Sequence, residues 1–165
     1  MPGVIADTGP LNYLILIGEI GLLPRLFGSV SIPDEVRLEM LDPRAPQAVR
    51  DWMTEPPAWL HVAVGPFEPV PSLEALDAGE RATISLALER SCELVVMDER
   101  AGVRAARALG LRATGTLGLL ELGARRGWVD IHNAVARLRA TSFRVRPALL
   151  NELLDRHRNA TGNGR

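Results

Sequence analysis

The sequence predicts a three-layer α/β/α domain around a central, mainly parallel sheet. Short apolar runs alternate with helical stretches along most of the chain, and two of those runs end in an aspartate just before a helix. With 165 residues, 47% of them hydrophobic, the chain is long enough to bury one core and too short for two ordinary domains. A single domain over residues 1–158 is expected, with a small polar tail, 159–165, disordered beyond it.

Residues 3–8 (GVIADT) read as a strand, and 10–17 shift to a helical mixture of apolar residues. Residues 21–27 form a short helical piece. A strand over 30–33 leads into a helix to about 41, with Asp34 read as its cap and Glu35 in the favourable first turn. Pro43 and Pro46 bracket a turn before a helix to about 55. Residues 60–64 read as a strand or an extended connection, and 65–71, with three prolines, as a loop.

Residues 77–91 have the pattern of an amphipathic helix with Ile84, Ala87 and Leu88 on one face. ELVVMD at 93–98 reads as a strand of the kind buried on both faces. A helix over 100–109, a strand over 111–114 and a helix over 116–126 continue the alternation. Two further helices, about 130–140 and 147–157, are expected to pack outside the sheet.

The single Cys92 excludes an internal disulfide, and no cysteine group suggests structural zinc; a small buried hydrophobe is expected there. Residues 1–8 lack the basic stretch of a signal peptide, and no early apolar run approaches the roughly 20 residues a bilayer needs. A cytoplasmic protein without membrane contact is the expectation.

The net charge of −1 conceals an asymmetry. Residues 1–99 hold 6 Arg against 16 acids, a charge of −10, and residues 100–165 hold 13 Arg against 4 acids, a charge of +9. An acidic, cation-seeking region is thus joined to one suited to polyanion phosphates, or to arginines on solvated helix faces. All 19 basic residues are arginine, so mechanisms that need a lysine are excluded.

In an open parallel sheet, ligands bind beyond the carboxyl ends of the strands, where Asp7 and Asp98 both lie. Either one alone also reads as a helix N-cap. Glu39 shares a helix face with Val36 and Met40 and leans toward the protein body. Glu80 heads the stripe of Ile84, Ala87 and Leu88, although Asp77 and Glu80 also have capping-box spacing. Four carboxylates crowded at one edge repel one another unless a cation sits among them, and oxygen-only ligands select Mg2+ or Mn2+ over zinc. Such a site suits phosphoryl chemistry.

From IADTGPL at 5–11 to GTLGLL at 115–120 the chain resembles a PIN domain, in the branch of small prokaryotic PIN-like proteins taken to bind nucleic acids. The family pattern implies a strand-terminal Asp, matched by Asp7, and a Glu on a following helix, matched by Glu39 in PDEVRLEML. It further implies an acid opening a later helix, matched by Glu80 in LDAGERATISLA, and a second strand-terminal Asp, matched by Asp98 in LVVMDE. The third acid is commonly Asp in these nucleases and is Glu80 here, one methylene longer.

The resemblance implies a Mg2+- or Mn2+-dependent ribonuclease cutting RNA phosphodiester bonds, as in the toxin of a toxin–antitoxin pair. It also implies a small protein antitoxin and a homodimer. Asp77 and Glu99 stand beside the main acids as candidates for support or an extra ligand, and Thr8 and Thr116 for holding phosphate or water. Arg100, Arg104 and Arg107 have the spacing of one helix face beside Asp98 and are candidates for phosphate contact.

The competing class is a PIN-like module that binds RNA or a protein without cutting. Nucleophilic-aspartate phosphatase and P-loop readings both fail for want of a lysine, and His61, His132 and His157 form no ligand spacing.

Overall fold

The computed structural model describes residues 3–161, with side chains to Arg158. Five strands form one all-parallel sheet in the order β3-β2-β1-β4-β5: β1 (Val4–Ala6), β2 (Val30–Pro33), β3 (Leu60–Ala63), β4 (Leu94–Val96) and β5 (Arg112–Thr114). Helices α1 (Thr8–Leu16), α2 (Leu22–Phe27), α3 (Asp34–Leu41) and α4 (Gln47–Thr54) occupy the first half. Helices α5 (Ala78–Glu89), α6 (Arg100–Ala108), α7 (Thr116–Arg125), α8 (Ile131–Arg139) and α9 (Pro147–Thr161) follow. The sheet and the helices on both of its faces make the three-layer α/β/α fold of the sequence expectation. No described helix is long and apolar enough to cross a membrane.

The central strands show why the sheet is buried on both sides. Ile5 pairs in register with Val95, and both enter the core beneath α5 and α6. Their neighbours Ala6 and Val96, also paired, face the opposite core with Leu11, Leu14, Leu119 and Leu120. Side chains alternate faces along a strand, so an uninterrupted apolar run such as LVV is what two covered faces require.

The ambiguous segment at 60–64 is resolved as β3, in register with β2 from Val30 opposite Leu60 to Pro33 opposite Ala63. Asp34 does not cap α3. Pro33 holds the cap position, and the Asp34 carboxylate instead pairs with Arg37, one turn on, at 2.5 Å. Helix α5 is buried more broadly than one stripe, since Ala82 to Leu86 and Ala87 are all buried. It crosses from β3 back to β4 over the middle of the sheet and is enclosed by neighbours on several sides.

The C-terminal helices are fastened by arginines. Arg137 on α8 donates to the Ile17 carbonyl at the end of α1 and reaches Glu19 at 2.9 Å, while Arg156 on α9 reaches Glu121 on α7 at 3.1 Å. Helix α9 runs to Thr161, and residues 162–165 of the tail expected to be disordered lie outside the described residues.

Leu11 is fully buried between α1 and the sheet, whereas Leu38 on α3 is 55% exposed. Leu11→Ala should cost about 2–5 kcal/mol in urea unfolding through the cavity it leaves, and Leu38→Ala less than about 1 kcal/mol. Equal losses at the two sites would contradict the packing described.

Candidate metal centre

Strands are added outward in opposite directions from β1 and β4, and at this switch point an open sheet has a crevice at its carboxyl edge. Asp7 follows β1, and its N–H bonds to the Val96 carbonyl at 2.8 Å, which locks the ends of the two strands together. Asp98 follows β4. A cleft of about 450 Å³ opens there, lined by Asp7, Glu39, Glu80 and Asp98 together with Asp77, Glu99 and Thr8. The four principal acids expected from the sequence thus meet at one cleft.

Asp7 occupies the N-cap position of α1 but makes no side-chain capping bond. The third residue of the helix, Pro10, has no N–H and removes one of the two usual capping donors. Burial, followed by repulsion from Glu39, Asp77 and Glu80, raises the Asp7 carboxyl from 3.8 to about 7, with the Thr8 N–H opposing the shift. Glu80 is equally enclosed, and burial together with Asp77 raises it from 4.5 to about 7.

Asp98 is held from the far side. Its two oxygens accept the Thr116 N–H and the Thr116 hydroxyl, each at 2.7 Å. Burial pushes its carboxyl up, and the Thr116 bonds pull against that. Asp98 therefore caps α7 from outside its own segment rather than capping α6. Thr116 is fully buried and engaged with this carboxylate. Glu39 is on the exposed side of α3, further from the protein body than its helix position suggested, and its carboxylate accepts the Thr8 hydroxyl at the cleft.

Asp77 caps α5 by accepting the Glu80 N–H at 2.8 Å, and the Asp77 N–H lies against the Glu80 carboxylate in return. The capping-box arrangement is present, and Glu80 lines the cleft as well.

Three helices begin at this cleft: α1 beside Asp7, α5 at Asp77 and Glu80, and α7 at Asp98. The positive ends of their dipoles favour anions there, by about 0.3–1 kcal/mol each and up to about 2 kcal/mol in partly buried geometry. Two glycines permit the approach. A Cβ on Gly79 would lie 3.0 Å from Glu39 Oε2 and 3.4 Å from Asp7 Oδ1, and one on Gly115 would collide with Asp98 Oδ1.

The cleft has further lining residues that the acid pattern did not single out: Asn12 and Tyr13 on α1, and Asp42, Arg44, Ala45 and Pro46 after α3. Arg44 is tied to Asp42 through Nε at 3.0 Å and Nη2 at 3.2 Å, which holds the Asp42 carboxyl down at about 2. Arg100 opens α6 next to Asp98 and Glu99 and lines a neighbouring cleft. Arg104 and Arg107 lie further down α6, both exposed, and Arg107 turns toward the Ala113 carbonyl at 3.5 Å.

Fold and cleft together define a class: an open parallel sheet with a carboxylate cluster at its switch point. A family model described as a PIN domain matches residues 3–159, and the chain belongs to that family. No curated protein matches the sequence.

The donor chemistry here is oxygen only, with Asp7 and Glu80 buried among like charges, which suits a hard divalent cation. Among the described residues, no group of three or more acids, histidines or cysteines is drawn in tightly enough to hold an ion as it stands. The carboxylates would have to close in on one.

Because the folded Asp7 carboxyl lies near 7 against 3.8, it favours folding fully below about pH 4, and that contribution is lost as pH rises to about 7. Keeping Asp7 ionised near neutrality therefore costs about 2 kcal/mol or more. In EDTA at pH 8, Asp7→Asn should raise the melting temperature by roughly 4–8 °C, equivalent to about 2 kcal/mol for a chain of this size, with little gain at pH 4. A gain at pH 4 equal to that at pH 8, or no gain at either, would show that charge at Asp7 is not what strains the fold.

Proposed function

We propose that the protein is a Mg2+- or Mn2+-dependent ribonuclease that hydrolyses RNA phosphodiester bonds at the switch-point cleft. The observation that carries this reading is the convergence of Asp7, Glu39, Glu80 and Asp98 on one cleft, two of them raised to about 7 by burial and like charge. Membership of the PIN family agrees with it.

Asp7, Glu39, Glu80 and Asp98 would hold the cation, which when bound polarises a phosphate and lowers the pKa of a water. The remaining work is positioning by the chain. Thr116 fixes both oxygens of Asp98, and Thr8 orients Glu39. Asp77 anchors the turn that carries Glu80. Arg100 supplies positive charge next to Asp98, where a phosphate neighbouring the scissile one would pass. Glu99 adds a further carboxylate at the rim.

A non-cutting, RNA-binding module is the second reading. It is favoured by the engagement of Glu80 with the Asp77 backbone, which occupies part of the carboxylate where the family commonly has the shorter Asp. As the toxin of a toxin–antitoxin pair, with an antitoxin and a second copy as partners, the protein would arrest growth when expressed alone. The Asp98→Asn form would not.

The decisive experiment is cleavage of a single-stranded RNA with and without divalent cation. Cutting should require Mg2+ or Mn2+, stop in EDTA, and be nearly abolished in Asp98→Asn, while Thr116→Val should lower it about 10–100-fold by freeing the carboxylate. Cutting that persists unchanged in Asp98→Asn would come from a contaminant and end the enzyme reading; RNA binding without any cutting would favour the module.

A further inference from the structure

The acidic cleft opens past Tyr13, Asp98 and Glu99 into a second, larger cleft of about 920 Å³. Its far wall is the connector between α8 and α9. That connector alternates: Phe143 and Val145 are half-buried against the core, and Ser142, Arg144 and Arg146 are exposed. This alternation leaves Arg144 and Arg146 both on the outer side of the connector, and both line the cleft. Arg100 faces the same cleft from the start of α6. Among the described residues no carboxylate pairs with these three, in contrast to Arg37, Arg44, Arg125, Arg137 and Arg156.

We propose that this second cleft is the track of a single RNA strand, whose phosphates lie on Arg100, Arg144 and Arg146 as the chain leaves the acidic cleft. The reading deepens the ribonuclease assignment and rests on it for what happens among the carboxylates. Arg44, the arginine that lines the acidic cleft itself, is already paired with Asp42. Toward the connector the strand meets guanidiniums that no described carboxylate pairs with, and the Tyr13 and Phe143 rings, the combination that holds single strands through backbone charge and base stacking. Tyr13 marks the junction. Its ring meets Phe143 edge-on at 5.0 Å, and its hydroxyl lies 3.2 Å from Ser142 Oγ, so α1 and the connector are held together at this point.

An acidic peptide would also be drawn to arginines. RNA is favoured because the cleft is continuous with the carboxylates proposed to act on a phosphate, and because aromatic surface is interleaved with the charge.

The test is fluorescence anisotropy of a labelled oligouridylate 12-mer on the full chain in EDTA at low salt, where nothing is cut. Arg144→Ala/Arg146→Ala should raise Kd about tenfold or more and lower the slope of log K against log salt by roughly 1.4, two phosphate contacts at about 0.7 each. Arg144→Lys/Arg146→Lys, which keeps the charge, should restore most of the binding, and an unchanged melting temperature would show that the fold is intact. Arg104→Ala/Arg107→Ala should have less effect than the connector pair. Equal or greater weakening from the α6 pair, no change in the connector variant, or displacement of the RNA by oligoglutamate at lower concentration than by unlabelled oligouridylate would each overturn the proposal. Cleavage is read separately in Mn2+: binding that depends on Arg144 and Arg146 without cutting defeats the ribonuclease reading and leaves the track standing.

Discussion

Like charges forced together at the end of a sheet are the constraint around which this protein is arranged. Asp7 and Glu80 are nearly inaccessible and each sits among other acids. A fold tolerates this only if something opposes the repulsion. Three helix starts aim their positive ends at the cleft, two glycines let backbone approach the carboxylates, and the Thr116 and Thr8 hydroxyls occupy oxygens of Asp98 and Glu39. The parallel sheet is what makes the arrangement possible, since every strand in it ends at the same edge and every helix that follows starts there.

That logic explains what was readable in advance. Asp7 and Asp98 close apolar runs, and a strand ending in an acid at a helix start locates itself without coordinates. Glu80 was readable through its place at the head of α5. The capping box and the cleft proved to be one arrangement rather than alternatives, because an acid in the first turn of a helix at this edge faces both the Asp77 backbone and its neighbours' carboxylates.

Other features depend on contacts between distant segments, and local pattern does not encode those. Residues 60–64 have no decisive periodicity, and they become a strand because β2 offers them a partner in register. Asp34 has the chemistry of a cap, yet Pro33 takes the cap position and Arg37 takes the carboxylate. Thr116 was a candidate for phosphate or water, and its partner is an acid 18 residues earlier in the chain. The place of Arg144 and Arg146 beside the acidic cleft could not be read from the sequence, because it depends on the docking of their connector on Tyr13.

The second cleft is cationic through arginine alone, and neither it nor the acidic cleft is lined by a histidine. Guanidinium groups keep their proton throughout the range in which proteins stay folded. The difference in electrical potential between the two clefts is therefore adjustable from one side only. Acidification bleaches the carboxylate end and leaves the arginine end at full strength, and the divalent cation proposed for the carboxylates would act on the same end. The molecule thus behaves as an electrostatic gradient with one fixed pole and one variable pole, and the variable pole is the one at which the proposed chemistry occurs.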